Sequence, residues 1–298
     1  MPCPADKTHS PGNGLIEPMS GDEGIYLRLP LAIFLLVGCM LLQVPIHLVA
    51  RSILGKNLAV AAAMLMGMFL PAVVIVLLIS PRPRETLRWR TISSGGIISV
   101  VGVSLSFAFL AGGLFEWLLR SERIPLPLVE LLEREEMIFR EIFQLQNGYD
   151  LIIVGVVLIG IAPLAEELLF RGLLQGSLER AVGHWPGLLI AAISFGLLHG
   201  RARFIPVSLL GLLMGYMVMR TNSLPVGIMA HAVNNLSVLF LSQLFAWHPS
   251  PSPLPLFSAI GGGIALIVFL GRFRSLTAEH ARIARRGPKE GPFPFPAA

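Results

Sequence analysis

The stretch PLAEELLFRG, residues 163–172, places Glu166, Glu167 and Arg171 inside a long run of leucine, isoleucine and alanine. A charged side chain at the centre of a membrane-spanning helix costs on the order of 3 kcal/mol on insertion scales. Three charges this close together therefore need partners. Glu167 and Arg171 are four residues apart, so they can form an ion pair on one face of a helix. Glu166 has no such neighbour and must find its partner on another helix.

The composition around this stretch is that of a membrane protein. Of 298 residues, 54% are hydrophobic and 14% are charged, against about 45–50% and 25% in soluble domains. Runs long enough to cross about 30 Å of hydrocarbon lie at 30–50, 58–79, 92–119, 151–173, 204–221, 223–245 and 256–273, and a shorter run lies at 186–200. We therefore predict an all-α, polytopic bundle of about eight transmembrane helices. The short run would reach only about 21 Å, so we expect it to start inside the membrane or to tilt strongly.

The remaining segments complete the predicted organisation. We expect a disordered polar tail (1–29), N-terminal transmembrane helices (30–123), an interfacial amphipathic helix (124–148), a transmembrane core with the charged residues (149–245), a last transmembrane helix (246–275) and a basic disordered tail (276–298). The amphipathic segment alternates acids and arginines with leucine, isoleucine and phenylalanine at near-helical spacing. It could be a lid that gates a substrate or a solvated connector, and the sequence leaves both readings open.

Basic residues indicate the orientation of the chain. They concentrate in PRPRETLRWR, residues 81–90, and in the segment after residue 272. The positive-inside rule then predicts a multi-pass integral membrane protein with both termini in the cytoplasm and membrane lipid as a partner. The net charge of +5 does not indicate nucleic-acid binding, because the basic residues lie between and after apolar runs and not on one face of a motif.

Two other apolar runs carry polar residues at helical spacing. ISFGLLHG, residues 193–200, has Phe195 and His199 four residues apart, and IMAHAVNN, residues 228–235, has His231 and Asn235 four residues apart. Each pair can face the interior of a bundle, so we predict that three helices meet around one polar pocket.

Each of these features has a plain structural explanation when it stands alone. A histidine or an asparagine in lipid commonly joins two helices by a hydrogen bond, a glutamate and arginine at this spacing commonly form a structural salt bridge, and Phe195 would simply pack. The whole set is harder to explain in that way. Helix association needs neither a second unpaired carboxylate nor two histidines on separate helices, so the set indicates a functional site.

The three motifs resemble those of a known family, the CAAX proteases and bacteriocin-processing enzymes, which includes the type II CAAX prenyl endopeptidases. The family pattern is EExxxR, FxxxH and HxxxN on separate transmembrane helices, and all three parts stand in order within about 150–245 of this chain. The resemblance implies an eight-helix intramembrane protease. It also implies the roles of its residues: Glu166 would activate the attacking water, Glu167 and Arg171 would shape the site, His199 would assist with the water or its proton, and His231 and Asn235 would stabilise the oxyanion.

The chemistry of the side chains supports these roles. Peptide hydrolysis needs a base, and a desolvated carboxylate can accept and return a proton near neutral pH. Glu166, which lacks an arginine at i,i+4, is the better base, whereas Glu167 beside Arg171 should stay ionised. Hydrogen-bond donors to the oxyanion are worth about 3–4 kcal/mol each in a dry site, and His231 and Asn235 can donate in this way.

Metal ligation stays open at this stage. Two glutamates and two histidines could bind a divalent metal such as zinc, which keeps three protein ligands and one water in hydrolytic sites, and the family is often called metalloproteases. The sequence has no HExxH motif, however, and a glutamate that acts on water directly would use the same residues. We predict no residues that bind another cofactor.

The sequence therefore predicts an intramembrane endopeptidase that hydrolyses a peptide bond of a membrane-associated or lipidated protein or peptide. One alternative is a non-catalytic scaffold or immunity protein of the same fold. Another is a proton-coupled transporter, in which intramembrane carboxylates and histidines would relay protons. Transporters usually contain paired repeats, whereas the polar residues of this chain cluster in its second half.

Overall fold

A computed structural model of the chain describes residues 16–17, 26–121, 125–142, 148–247 and 253–285. A short antiparallel pair, β1 (Ile16–Glu17) and β2 (Tyr26–Leu27), lies within the segment predicted as a disordered tail, and the rest of that tail is outside the described residues. The helices are α1 (Leu29–Leu54), α2 (Lys56–Ile79), α3 (Pro83–Thr86), α4 (Ser94–Arg120), α5 (Leu126–Ile142), α6 (Gly148–Val182), α7 (His184–Leu197), α8 (Phe204–Thr221), α9 (Leu224–Trp247) and α10 (Leu254–Arg285).

Seven of these helices, α1, α2, α4, α6, α8, α9 and α10, have the length and apolar composition to cross a membrane. The all-α, polytopic fold is thus confirmed, and the chain is an integral membrane protein. The short run forms α7, an apolar helix of only 14 residues, and its predicted start inside the membrane or strong tilt stays a prediction. The orientation of the termini stays a prediction.

The bounds of α10 and α5 can be compared with the predicted basic tail and the predicted amphipathic helix. Helix α10 continues to Arg285, past the predicted start of the basic tail at residue 276, because the sequence there is rich in alanine and arginine, which are strong helix formers. Residues 286–298 lie outside the described part of the chain. Helix α5 occupies most of the segment predicted to form an amphipathic helix, and its position at a membrane interface stays a prediction.

Helix α7 folds back along the second half of α6. Gly183, with φ 93°, ends α6 and separates the two helices. They approach closely, since a Cβ on Gly187 would lie 2.5 Å from the backbone nitrogen of Glu179. The chain descends about 24 Å from Glu166 to the end of α6 and returns about 22 Å along α7 to His199. A short helix is therefore sufficient to bring His199 back to the level of Glu166.

Helices α8 and α9 complete the four-helix unit around the site. Helix α8 packs along α7 and α6, and it approaches α6 through Gly211 and Gly215, which form a GxxxG pattern. Helix α9 begins at Leu224, whose N–H donates to the carbonyl of Arg88, and it returns between α4 and α6. Each of α6, α7 and α9 thereby delivers one of the three sequence motifs to the same region.

Candidate active site

Five of the six predicted site residues meet through direct side-chain contacts. Glu166, Glu167 and Arg171 lie on α6, His199 lies in the turn after α7, and His231 lies on α9. His199 Nε2 is 3.3 Å from Glu166 Oε2, and His231 Nε2 is 4.0 Å from the same oxygen. His231 Nδ1 is 3.0 Å from Glu167 Oε1. The convergence of three helices on one polar cluster is what the sequence predicted.

The ion pair between Glu167 and Arg171 forms the buried base of this cluster. Arg171 Nη1 donates to Glu167 Oε1 at 2.7 Å, and Nη2 donates to the carbonyl of Gly211 at 3.3 Å. The guanidinium carbon also lies 4.2 Å from the centre of the Phe195 ring, where the face of the ring attracts a cation. Both charged side chains are at most 2% exposed. Arg171 thus has a carboxylate, a carbonyl and an aromatic face to offset the loss of water.

His231 connects this ion pair to Glu166. Its Nδ1 must carry the hydrogen in the contact with Glu167, because a carboxylate accepts a hydrogen bond when it is ionised. The hydrogen bond orients the ring so that Nε2 faces Glu166. Glu167 therefore fixes the orientation of the His231 ring, and the carboxylate of Glu166 lies in front of Nε2.

His199 is oriented in the same way from α7. Its Nδ1 is 2.8 Å from the carbonyl oxygen of Phe195, which can only accept, so Nδ1 carries the hydrogen and Nε2 faces Glu166. A neutral imidazole then presents a lone pair to a carboxylate oxygen at 3.3 Å. Two acceptors at this distance need a hydrogen between them, either a proton on one of them or the hydrogens of a water that donates to both.

The open side of the cluster is at Glu166 and His199. Their side chains are 13% and 32% exposed, whereas Glu167 and His231 are 0% and 5% exposed. Within the described part of the chain, Glu166 Oε2 is buried and has no hydrogen-bond partner of good geometry. The Glu167–Arg171 pair lies behind this oxygen, so the less buried side of the cluster is that of His199.

Asn235, the sixth predicted residue, has a structural contact. Its Nδ2 donates to the carbonyl of Leu158 at 2.7 Å, within the π-helical segment Val157–Ile161 of α6. A π segment commonly leaves a carbonyl without an intrahelical donor, and the amide of Asn235 satisfies it. This contact fixes α9 to α6 and uses one of the two amide hydrogens. The role of Asn235 in stabilising an oxyanion stays a prediction.

Two residues outside the six predicted ones support the cluster. Phe195 was expected only to pack, but its ring lies under the guanidinium of Arg171 and 4.4 Å from the ring of His199, and its carbonyl orients His199. Gly227 was missed. A Cβ there would lie 2.6 Å from Glu167 Oε2, so only glycine leaves room for this carboxylate. Its spacing of four residues from His231, on the same face of α9, is the signal that could have found it.

A second buried ion pair lies further along the same face of α6. Gln175 Nε2 donates to Glu179 Oε1 at 2.6 Å and to the carbonyl of Gly215 at 3.0 Å. Glu179 in turn pairs with Arg88 at 2.5 Å, and both side chains are at most 5% exposed. The positions 167, 171, 175 and 179 repeat every four residues, which indicates a polar stripe on one helix face. Gln175 and Glu179 were not among the predicted site residues.

The binding of a divalent metal such as zinc stays a prediction. No group of three or more His, Cys, Asp or Glu side chains in the described ranges is arranged to hold a metal ion. Glu167 is bonded to Arg171, whose positive charge opposes a second cation there, and His231 Nε2 is 4.0 Å from Glu166 Oε2. We derive no step through a metal.

Residues 148–237 match the family model of the Rce1-like type II CAAX prenyl endopeptidases. The matched segment begins with α6 and includes all six predicted site residues, so the resemblance seen in the motifs is confirmed for this part of the chain. The matched family is one of proteases, which supports a membrane protease at the level of the family. The comparisons with curated proteins and with solved structures gave no match.

Proposed function

We propose that the protein is an intramembrane endopeptidase in which Glu166 activates water to hydrolyse a peptide bond of a membrane-associated or lipidated protein or peptide. The observation that carries the proposal is the position of Glu166 Oε2. This buried oxygen faces Nε2 of His199 and Nε2 of His231, and each imidazole is oriented by a hydrogen bond at its Nδ1. A structural salt bridge would need neither of these imidazoles.

The first step is the attack of water. A water between Glu166 and His199 donates one hydrogen to the carboxylate and the other to Nε2, so its lone pair is directed at the carbonyl carbon of the substrate. As the new C–O bond forms, Glu166 accepts a proton. General base catalysis of this kind is worth about 10²–10⁴-fold. His199 holds the water, because its ring is fixed by the carbonyl of Phe195.

The second step is the stabilisation of the tetrahedral intermediate. To donate to the oxyanion from Nε2, His231 must carry a hydrogen on both ring nitrogens, and the hydrogen bond from Nδ1 to Glu167 stabilises that form. The second amide hydrogen of Asn235 is the other donor. The ion pair with Arg171 keeps Glu167 ionised and fixed, so the donor is oriented before the reaction begins.

The last step is the departure of the amine. Glu166 returns its proton to the nitrogen of the scissile bond, and the C–N bond breaks. The hydroxyl hydrogen that came from the water passes to the departing amine, so the products are a carboxylate and an ammonium group. The same carboxylate thus acts first as base and then as acid. The Glu166 side chain is only 13% exposed, which limits exchange of this proton with bulk water.

Proteolysis should be visible as new polypeptide termini in the membrane. We expect membranes from cells that contain the wild-type chain to show termini that are absent when the chain carries Glu166→Gln, at equal amounts of protein. Mass spectrometry of protein termini measures this and identifies the substrates. Identical sets of termini, together with full complementation of a deletion strain by Glu166→Gln, would instead support a scaffold that does not use this chemistry.

Chelation tests whether the reaction needs a metal. Because the proposal uses only protein side chains and water, the purified protein should keep its kcat/KM after treatment with EDTA and 1,10-phenanthroline. Loss of activity that zinc restores, in proportion to bound zinc, would show that Glu166, His199 and His231 act as ligands and would overturn this mechanism.

A further inference from the structure

Helix α5 makes a specific contact with the loop that follows His199. Glu135 lies near the middle of α5, and its Oε1 accepts the backbone N–H of Ala202 at 3.0 Å. The two residues are 67 positions apart in the chain. The amphipathic helix is therefore attached to the segment 198–203, which connects α7 to α8.

The loop is shaped around this carboxylate. Gly200 has φ 98°, which side chains other than glycine rarely adopt. A Cβ on Gly200 would lie 2.6–2.7 Å from the carboxylate carbon and both oxygens of Glu135. A side chain at position 200 would therefore displace the Glu135 carboxylate from the loop.

The chain is thereby held on both sides of His199. On the α7 side, the N–H of His199 donates to the carbonyl of Gly196 at 3.1 Å. On the other side, Gly200 rests on Glu135, and the N–H of Ala202 is bound to it. His199 is the more exposed of the two imidazoles at the site, and it lies at the end of a helix, so its position depends on these neighbours.

The half-buried carboxylate of Glu135 has a cost that a simple connector would avoid. Its Oε2 is buried and has no hydrogen-bond partner among the described residues, and unsatisfied polar atoms of this kind are destabilising. Glu130 and Glu133 on the same helix are exposed to solvent. The acid that faces the loop is thus distinguished from its neighbours by its contact with the segment that carries His199.

We propose that Glu135 is a positioning residue, which fixes the loop 198–203 so that Nε2 of His199 faces Glu166. This inference rests on the proposed protease function, and it identifies α5 as part of the site and not as a solvated connector. Glu135 acts through Gly200 and Ala202 and takes no part in proton transfer. Its loss should therefore affect the chemical step more than the binding of substrate.

Kinetics of purified variants test this role. We expect Glu135→Ala to lower kcat by about tenfold to a hundredfold and to change KM little, because the water is no longer held. Glu135→Gln keeps an acceptor for Ala202 and should restore most of the rate. The matched control is Glu133→Ala, on the exposed face of α5, which should have wild-type kcat. Wild-type kcat in Glu135→Ala, or equal loss in the control, would overturn the proposal.

A spectroscopic measurement separates this inference from the protease function. A spin label at position 201, introduced by Arg201→Cys after replacement of Cys3 and Cys39 by alanine, reports the mobility of the loop. Glu135→Ala should raise that mobility, and Glu133→Ala should not. An unchanged spectrum would overturn the positioning role even in an active protease. Normal cleavage by Glu166→Gln would overturn the protease mechanism. Even then, a changed spectrum in Glu135→Ala would show that Glu135 holds the loop.

Discussion

Glu166→Gln is expected to abolish cleavage, with a fall in kcat of about 10³-fold or more, while the chain inserts and accumulates as before. Glutamine has nearly the same shape as glutamate but cannot accept a proton from water at neutral pH. The side chain lies beside two imidazoles and has no arginine bonded to it, so its neutralisation should disturb the packing little. The measurement is the rate of cleavage of a peptide in detergent or nanodiscs, together with the amount of folded protein.

The control for this substitution is Glu116→Gln. Glu116 is also on a spanning helix, but it pairs with Arg120 at 29% exposure and is far from the three motifs in sequence. This variant should cleave at the wild-type rate. Cleavage at that rate by Glu166→Gln would remove the proposed base.

A double variant tests whether Glu166 and His199 act as one unit. Both should be bonded to the same water in the proposed mechanism, so His199→Asn should also lower kcat strongly. Residues that act together are non-additive. Glu166→Gln combined with His199→Asn should therefore be about as slow as the slower single variant. If the losses in kcat of the two single variants multiplied fully in the double variant, Glu166 and His199 would serve separate steps.

The sequence was sufficient to predict the fold class and the meeting of three polar helix faces. In a membrane every backbone polar group must be satisfied within the segment, so long apolar runs become helices. The charged and polar residues inside those runs had to face each other, and the spacings 166–171, 195–199 and 231–235 gave the face of each helix. Five of the six predicted residues are in contact for this reason.

The supporting contacts of the site and the orientation of its side chains depend on parts of the chain that are distant in sequence. Glu135 reaches Ala202 across 67 positions, and Arg88 reaches Glu179 across 91. Local periodicity contains no information on such pairs. The path of the short helix α7 depends on packing in the same way, because hydropathy does not show that α7 only has to return to the level of Glu166. The orientation of each imidazole also depends on a partner, the carbonyl of Phe195 or the carboxylate of Glu167, and is fixed only in the folded protein.

Arg171→Leu is expected to cause the largest loss of stability. It would leave Glu167 fully buried without its cation, and removal of one partner from a buried ion pair costs about 3–5 kcal/mol. The carbonyl of Gly211 would lose its donor as well. We expect little folded protein to accumulate, and unfolding in denaturant or a thermal melt of the purified protein measures the loss.

A second ion pair of the same chemistry is the matched control. Glu116 and Arg120 are also spaced i,i+4, with Nε and Oε1 2.9 Å apart, but their side chains are 29% and 16% exposed. Because water can solvate the remaining charge, Arg120→Leu should cost only about 0.2–1 kcal/mol. Equal losses in Arg171→Leu and Arg120→Leu would contradict the assignment of Arg171 as the essential counter-ion of the site.

Removal of both charges separates stability from activity. Apolar residues of similar volume often replace a buried ion pair without loss of stability, so Glu167→Met combined with Arg171→Met should accumulate better than Arg171→Leu. The double variant should still be inactive, because Nδ1 of His231 has lost its acceptor and the ring is no longer held with Nε2 toward Glu166. Recovery of folded protein without recovery of cleavage would show that the ion pair is retained to orient His231. Recovery of both would mean that His231 needs no such support.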